Sequence, residues 1–246
     1  MRKILLSVFA FAAVFFHINN IYAWEGMPMP NLHVEGRYLK DSHGHIVKLH
    51  GFAQTYSPWF NEQNSKWSNY DVDACLTYNQ GIIDSLLNAD WKMNFIRLHM
   101  DPYWSNNPGQ QTTGENDISA FNFNRFKQYL DEVFVPMAEY AISKGLYVVM
   151  RPPGVCPEKI AVGDAYNQYL IKVWAYVAQH SVLKNNPAIM FELANEPVNI
   201  LGTDDTYGSG TQGHFDNLKI FFQAIVDTIR ASADNILWIP GLGYQS

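Results

Sequence analysis

The sequence predicts an α/β protein, a (β/α)8 barrel of the TIM type carried as far as about its fifth strand. Three observations predict it. Apolar runs of strand length recur at residues 94–98, 146–150, 188–193 and 236–239. Between them lie apolar residues at helical spacing, such as Phe126, Leu130, Val133, Met137 and Ala141. Strict alternation of strand and helix makes the strands parallel, because each crossover must carry the chain back. The remaining alternative, an open dinucleotide-binding sheet, calls for a G-x-G-x-x-G turn after an early strand. None follows Gly51, and no phosphate-loop lysine motif occurs.

The elements can be justified in order. Arg2 and Lys3 give a basic start, residues 4–16 are almost all apolar, and Ile21-Tyr22-Ala23 closes the segment with a small residue. This pattern predicts a signal peptide over residues 1–23, cleaved after Ala23, with the barrel domain on residues 24–246. A membrane anchor needs ~20 apolar residues, and His17, Asn19 and Asn20 interrupt this run. The expected location is therefore secreted, periplasmic or at the cell surface, with no membrane segment after cleavage.

Residues 34–39 and 46–51 flank the turn Asp41-Ser42-His43-Gly44, a hairpin signature, and residues 47–51 are read as the first strand. Ile82, Ile83, Leu86 and Leu87 mark a first helix face. Pro136 is expected to divide the second helix into two pieces and to start the second piece. Gly145 is placed for a left-handed cap. Leu170, Val173, Trp174 and Val177 mark a third helix, and Phe215, Leu218, Phe222, Ile225 and Ile229 a fourth. Residues 202–213, rich in Gly, Thr, Asp and Ser, read as a surface loop. A complete barrel of this kind runs to ~250 residues or more, so about three further units are expected beyond those read here.

Composition bounds the partners. The net charge is -6 and no basic run occurs after Lys3, which leaves no positive surface for nucleic-acid phosphates. A neutral polymer such as a polysaccharide fits, and a monomer is expected. The 2 cysteines, Cys75 and Cys156, are too few for a disulfide framework; pairing and two buried thiols are both open.

In a barrel the chemistry gathers where strands end. The fourth strand leads into Leu193-Ala194-Asn195-Glu196-Pro197, and the second into Arg97-Leu98-His99-Met100-Asp101. A carboxylate leaving an apolar strand into a cleft is expected to be partly desolvated, which suits it to proton donation. The Asn195 amide could hydrogen-bond a sugar hydroxyl. Arg97 as a plain ion-pair partner is the bland alternative, and His99 and Asp101 are read as structural. His43 and His45 lack a third ligand, and residues 204–208 lack calcium-loop spacing, so neither metal nor cofactor is expected.

Residues 191–197, Phe-Glu-Leu-Ala-Asn-Glu-Pro, resemble the Asn-Glu-Pro signature of glycoside hydrolase family 5, the cellulase type. The stretches 34–51, 94–98 and 145–153 are similar to that family's opening and to its second and third strands. The resemblance implies that Glu196 is the acid/base of a retaining glycosidase and that Asn195 holds a sugar 2-hydroxyl. It implies that Arg97 lies near the nucleophile and keeps it ionised. The family's nucleophile is a second Glu at the end of the seventh strand. No Glu follows Glu196 in this sequence. Glu192 stands four residues upstream on the same strand, ~13 Å away, too far for the ~5–5.5 Å of a retaining pair. Many members carry a His near the end of the third strand, where this chain has Met150-Arg151-Pro152-Pro153-Gly154, which implies different substrate contacts.

Trp59, Trp67, Tyr103 and Trp104 lie in βα loops, and each could stack on a sugar ring or pack locally. The function expected is hydrolysis of a β-linked polysaccharide, an endo-β-1,4-glucanase acting on a β-glucan. A β-mannanase, a β-1,3-glucanase and a non-catalytic carbohydrate-binding barrel are the alternatives.

Overall fold

The computed structural model describes residues 29–55 and 68–243. The leader expected at residues 1–23, and the loop residues Trp59 and Trp67, lie outside the described residues. An N-terminal hairpin comes first: β1 (His33–Glu35) pairs antiparallel with β2 (Tyr38–Lys40). The run 34–39 is thus two strands and not the single one expected. Gly36, at φ 61°, takes the left-handed conformation that reverses the chain between them. The expected turn at residues 41–44 is present. The Gly44 amide donates to the Asp41 carbonyl at 3.0 Å, and Asp41 Oδ1 accepts the amides of His43 and His45.

In chain order there follow β3 (Gly51–Gln54), α1 (Val72–Asn88), β4 (Phe95–His99), the short α2 (Pro102–Ser105), α3 (Phe123–Tyr129) and α4 (Val135–Ser143). Then come β5 (Tyr147–Arg151), β6 (Lys159–Ile160), α5 (Ala165–Val177), β7 (Ile189–Glu192), β8 (Asn199–Leu201), β9 (Tyr207–Gly208), α6 (Gln212–Arg230) and β10 (Leu237–Trp238). The main sheet has 5 strands in the order β10-β7-β5-β4-β3, and every pairing is parallel. The strands follow one another across the sheet with a helix at each crossover, which is the winding of a (β/α)8 barrel.

Two boundaries differ from the sequence reading. The first strand is Gly51–Gln54, not residues 47–51, because Asn94 ties the preceding segment to itself. Its Nδ2 donates to the Lys48 carbonyl, its Oδ1 accepts the His50 amide, and its own amide donates to the His50 carbonyl. The ladder therefore begins at the Gly51–Phe95 pair. In the loop expected at residues 202–213, β9 pairs antiparallel with β8, and β8 pairs with β6, giving a small second sheet. Other expectations hold. A π-helical turn, Leu130–Phe134, separates α3 from α4, whose first turn contains Pro136, and Gly145 sits just past α4 at φ 80°. Cys75 and Cys156 are buried free thiols. Among the described residues no helix is long and apolar enough to cross a membrane.

The side-chain period of two along a strand sorts the sheet into faces. Ile96, Leu98, Val148, Met150, Ile189 and Phe191 pack into the large core against the helices. On the other, concave face Phe95, Tyr147, Val149, Ala188, Met190 and Trp238 form a second cluster. Leu32 and Leu39 of the hairpin segment close it from below, and the Tyr147 hydroxyl donates to the Pro30 carbonyl. Residues buried on both sides explain why these strands read as unbroken apolar runs. Continuing the concave face upward, the same parity brings Arg97, His99, Arg151 and Glu192 to the carboxyl ends of the strands. The face is apolar at its base and charged at its rim.

Gly51 is where a side chain cannot be tolerated: a Cβ there would lie 1.8 Å from the Phe95 carbonyl oxygen. Because backbone is the obstacle, Gly51→Ala is expected to cost about 3 kcal/mol, the upper end for overpacking. Urea denaturation measures this, and a cost under about 0.5 kcal/mol, that of an ordinary surface change, contradicts the placement of the strand.

Candidate active site

The rim is organised around Arg97. Its Nε donates to Glu192 Oε2 at 2.6 Å and its Nη2 to Glu192 Oε1 at 2.5 Å, a two-pronged grip. The same Nη2 donates to Asn195 Oδ1 at 2.6 Å. Burial pulls the Arg97 guanidinium pKa down, but the Glu192 carboxylate, and the charge of Glu196 beyond it, hold it above its ordinary value. The partner of Arg97 in this chain is therefore Glu192, the carboxylate that the sequence reading had set aside as too far along the strand to pair with Glu196.

The exit from β7 is fixed from three sides. The Trp174 indole donates to the Leu193 carbonyl at 2.9 Å, the Leu193 amide to the Trp238 carbonyl at 2.9 Å, and the Cys156 amide to the Asn195 carbonyl at 2.8 Å. Past it, the Gly243 amide reaches the Pro197 carbonyl at 3.1 Å. Held in this way, Glu196 takes φ 54°, a left-handed conformation that costs a residue with a side chain about 1–3 kcal/mol. Its neighbour Asn195 is buried, with its backbone carbonyl and its Oδ1 both accepting hydrogen bonds, whereas Glu196 is exposed. The desolvation expected for Glu196 is therefore not what surrounds it: β10 is the edge strand of the described sheet, and no described strand stands beyond it to cover this side.

A second group of polar residues adjoins the first, and only part of it was legible in the sequence. His99 is 3% exposed and its Nε2 accepts the Gly154 amide at 3.3 Å, which assigns the ring proton to Nδ1. Burial first, then the charges of Arg151 and Arg97, hold the imidazole neutral, far below its ordinary pKa. Asp101 is fully buried; its Oδ1 accepts the Tyr103 amide at 2.8 Å and its Oδ2 the Thr55 hydroxyl at 3.1 Å. Glu115 arrives from the loop after α2. Its Oε2 accepts from Arg151 Nη2 at 3.3 Å and lies 3.9 Å from His99 Nε2. Burial raises the Glu115 carboxyl to about 7, with Asp101 and Glu196 adding to the rise and Arg151 opposing it. Burial also lowers Arg151, and the neighbouring Arg97 adds to that. Glu115 carries no local mark in the sequence, and Arg151 is read there only as part of the third-strand end that departs from the family's pattern. The one available signal was parity: Arg151 stands opposite His99 in the ladder, on the same face as Arg97.

Tyr103 and Trp104 are elsewhere. They were candidates for sugar stacking, but the structure packs them into the core, 3% and 0% exposed. Asp101 caps the turn of α2 and folds both rings inward. Tyr103 stacks on Tyr70 with ring centres 4.7 Å apart, and Trp104 lies 4.9 Å from Tyr129. Among the described residues no group of three or more His, Cys, Asp or Glu is arranged to hold a metal ion.

This arrangement joins an exposed carboxyl on a strained backbone to a fixed amide and a guanidinium at the carboxyl ends of parallel strands. The cellulase family, glycosyl hydrolase family 5, matches residues 41–246. Two solved structures of a β-glucanase from Saccharophagus degradans, one native and one in complex with cellotetraose, are each 14% identical to this chain. Each match covers 91% of this chain and 57% of the other, with a TM-score of 0.52. At that identity the likeness is one of fold. An endocellulase from Pyrococcus horikoshii is 17% identical over 86% of this chain and 58% of its own, with a TM-score of 0.47. The chain thus spans just over half the length of these structures. No curated protein sequence matches it.

The raised Glu115 carboxyl has a consequence for stability. Its pKa is about 7 when folded against 4.5 ordinarily, so between those pH values the folded chain keeps a proton that the unfolded chain has released. The stability this group contributes is full below the lower value and is lost as pH rises through the upper one. The melting temperature of the wild type is expected to fall relative to Glu115→Gln across that window and to run parallel to it above about pH 8. Parallel curves throughout contradict the raised pKa.

Proposed function

The chain belongs to the cellulase family, glycosyl hydrolase family 5, and on that premise we propose that it is the part of a retaining endo-β-1,4-glucanase that carries the acid/base, Glu196. One observation carries the reading: Glu196 and Asn195 leave β7 side by side, in a left-handed turn, beside the Arg97 guanidinium that binds Asn195. A strained backbone that the surroundings hold in place is a mark of a site built to aim one side chain.

In this reading Glu196 gives its proton to the glycosidic oxygen as the bond to the leaving sugar breaks, and a second carboxylate takes the anomeric carbon. In the following step Glu196, now ionised, takes a proton from the water that releases the sugar. Asn195 has its Oδ1 occupied by Arg97, which leaves its Nδ2 to donate to a substrate hydroxyl. Glu192 is not assigned as the second carboxylate, because it ends β7 four residues before Glu196, ~13 Å at the strand rise, beyond the ~5–5.5 Å of a retaining pair. The choice of a β-glucan follows the family and the cellotetraose held by the β-glucanase of like fold. Export from the cell, which the leader at residues 1–23 suggests, suits a polymeric substrate.

The test uses the protein expressed from its complete gene. Glu196→Gln removes the proton and keeps the shape, and is expected to lower hydrolysis of a soluble β-1,4-glucan by at least about 100-fold, the scale of general acid catalysis. Release of reducing ends measures it. Unchanged turnover contradicts the role given to Glu196, and oligosaccharide binding without turnover by the wild type supports a carbohydrate-binding protein instead.

A further inference from the structure

Glu115 has no part in the chemistry above, yet the fold brings it to the rim at some cost. It sits on the loop that runs from α2 to α3, with a side chain only 16% exposed. The charged and titratable groups that face it come from three elements: Arg151 at the end of β5, His99 and Asp101 on and after β4, and Glu196 past β7. Of these, only Arg151 favours its ionised form, and His99 is neutral. Two acids oppose it, so a carboxylate at this place is not there for local stability.

Its backbone is tied to the same exit as its side chain. The Val155 amide donates to the Glu115 carbonyl at 3.1 Å. Gly154, at φ 81°, passes so close that a Cβ there would lie 2.2 Å from that carbonyl oxygen. One residue further on, the Cys156 amide donates to the Asn195 carbonyl. Glu115 is thus joined to Glu196 by a short covalent and hydrogen-bonded path. It runs from the Glu115 carbonyl to Val155, along the chain to Cys156, and across to Asn195, with the Arg151–Glu115 pair closing the loop from the side-chain direction. The Gly154 amide is the third contact, because it donates to His99.

We propose that Glu115 is a positioning residue for the acid/base, holding Arg151 at the end of β5 and, through the backbone at Val155 and Cys156, the turn on which Asn195 and Glu196 stand. This rests on the reading of Glu196 as the proton donor. Glu115 touches no reacting atom in this account. It acts by keeping the β5 exit, which ends in Arg151, in the place from which it braces the β7 exit.

The experiment compares two substrates on the protein from its complete gene: a soluble β-1,4-glucan, whose leaving group needs a proton, and a dinitrophenyl β-cellobioside, whose leaving group does not. A group that aims the proton donor matters for the first substrate only, whereas damage to the fold or to sugar binding lowers both. Glu115→Gln is expected to lower kcat/KM on the glucan about tenfold, well short of the roughly 100-fold loss that follows misplacement of a catalytic group by ~1 Å. On the activated glycoside it is expected to stay within about threefold of wild type. If Glu115→Gln does not fold, Glu115→Asp, which keeps the carboxyl and withdraws it from Arg151 by one methylene, is read on the same pair. Equal losses on both substrates, or no loss on either, overturn the assignment while leaving Glu196 as the acid/base. A wild-type protein that hydrolyses neither substrate contradicts the hydrolase reading itself, and the role of Glu115 falls with it.

Discussion

The rim depends on a guanidinium that has to be paired. Arg97 projects from β4 onto the concave face, where the neighbouring strand positions are apolar, and a charge in that setting is tolerated only if its donors are met. Glu192 meets two of them and Asn195 a third. The pair links β4 to β7 across β5, which lies between them in the sheet. Removing either partner would leave the other without its counter-charge in a part-buried place. The pair therefore acts less as a source of stability than as a specification of register. Only when β4 and β7 are aligned as they are does Asn195 come within reach of Arg97, and Glu196 follows Asn195.

Parity accounts for what was legible in the sequence. The runs at 94–98, 146–150 and 188–193 are apolar on both faces because one face meets helices and the other meets the second cluster, so the strands announced themselves. Pro136 and Gly145 act through their own backbone limits, which hold wherever the chain goes. The first strand was misplaced by several residues because what fixes it is tertiary. Asn94 ties down residues 48–50, and the close approach at Gly51 sets where the ladder can start. Nothing within residues 47–51 records either fact.

The site divides in the same way. Asn195 and Glu196 stand just past the end of β7 and Arg97 stands within β4, so a reader who finds the strands finds them. Glu115 is brought to Arg151 from 36 residues away by a loop without periodicity. Tyr103 and Trp104 show the opposite failure, since their place after a strand suggested the cleft. The cap that Asp101 places on the following turn directs both rings into the core. In each case the missing information was the direction of a side chain set by a hydrogen bond to a distant or neighbouring backbone group, not the residue type.

The central claim is that the turn at Asn195 and Glu196 serves a retaining hydrolase acting on a β-glucan. Its most direct test is the configuration of the sugar first released by the protein from its complete gene, followed by proton NMR during hydrolysis of a cello-oligosaccharide. The account predicts that the β-anomer appears first and the α-anomer only later, by mutarotation, because the two displacements restore the starting configuration. The α-anomer as first product would show a single displacement by water and would contradict it.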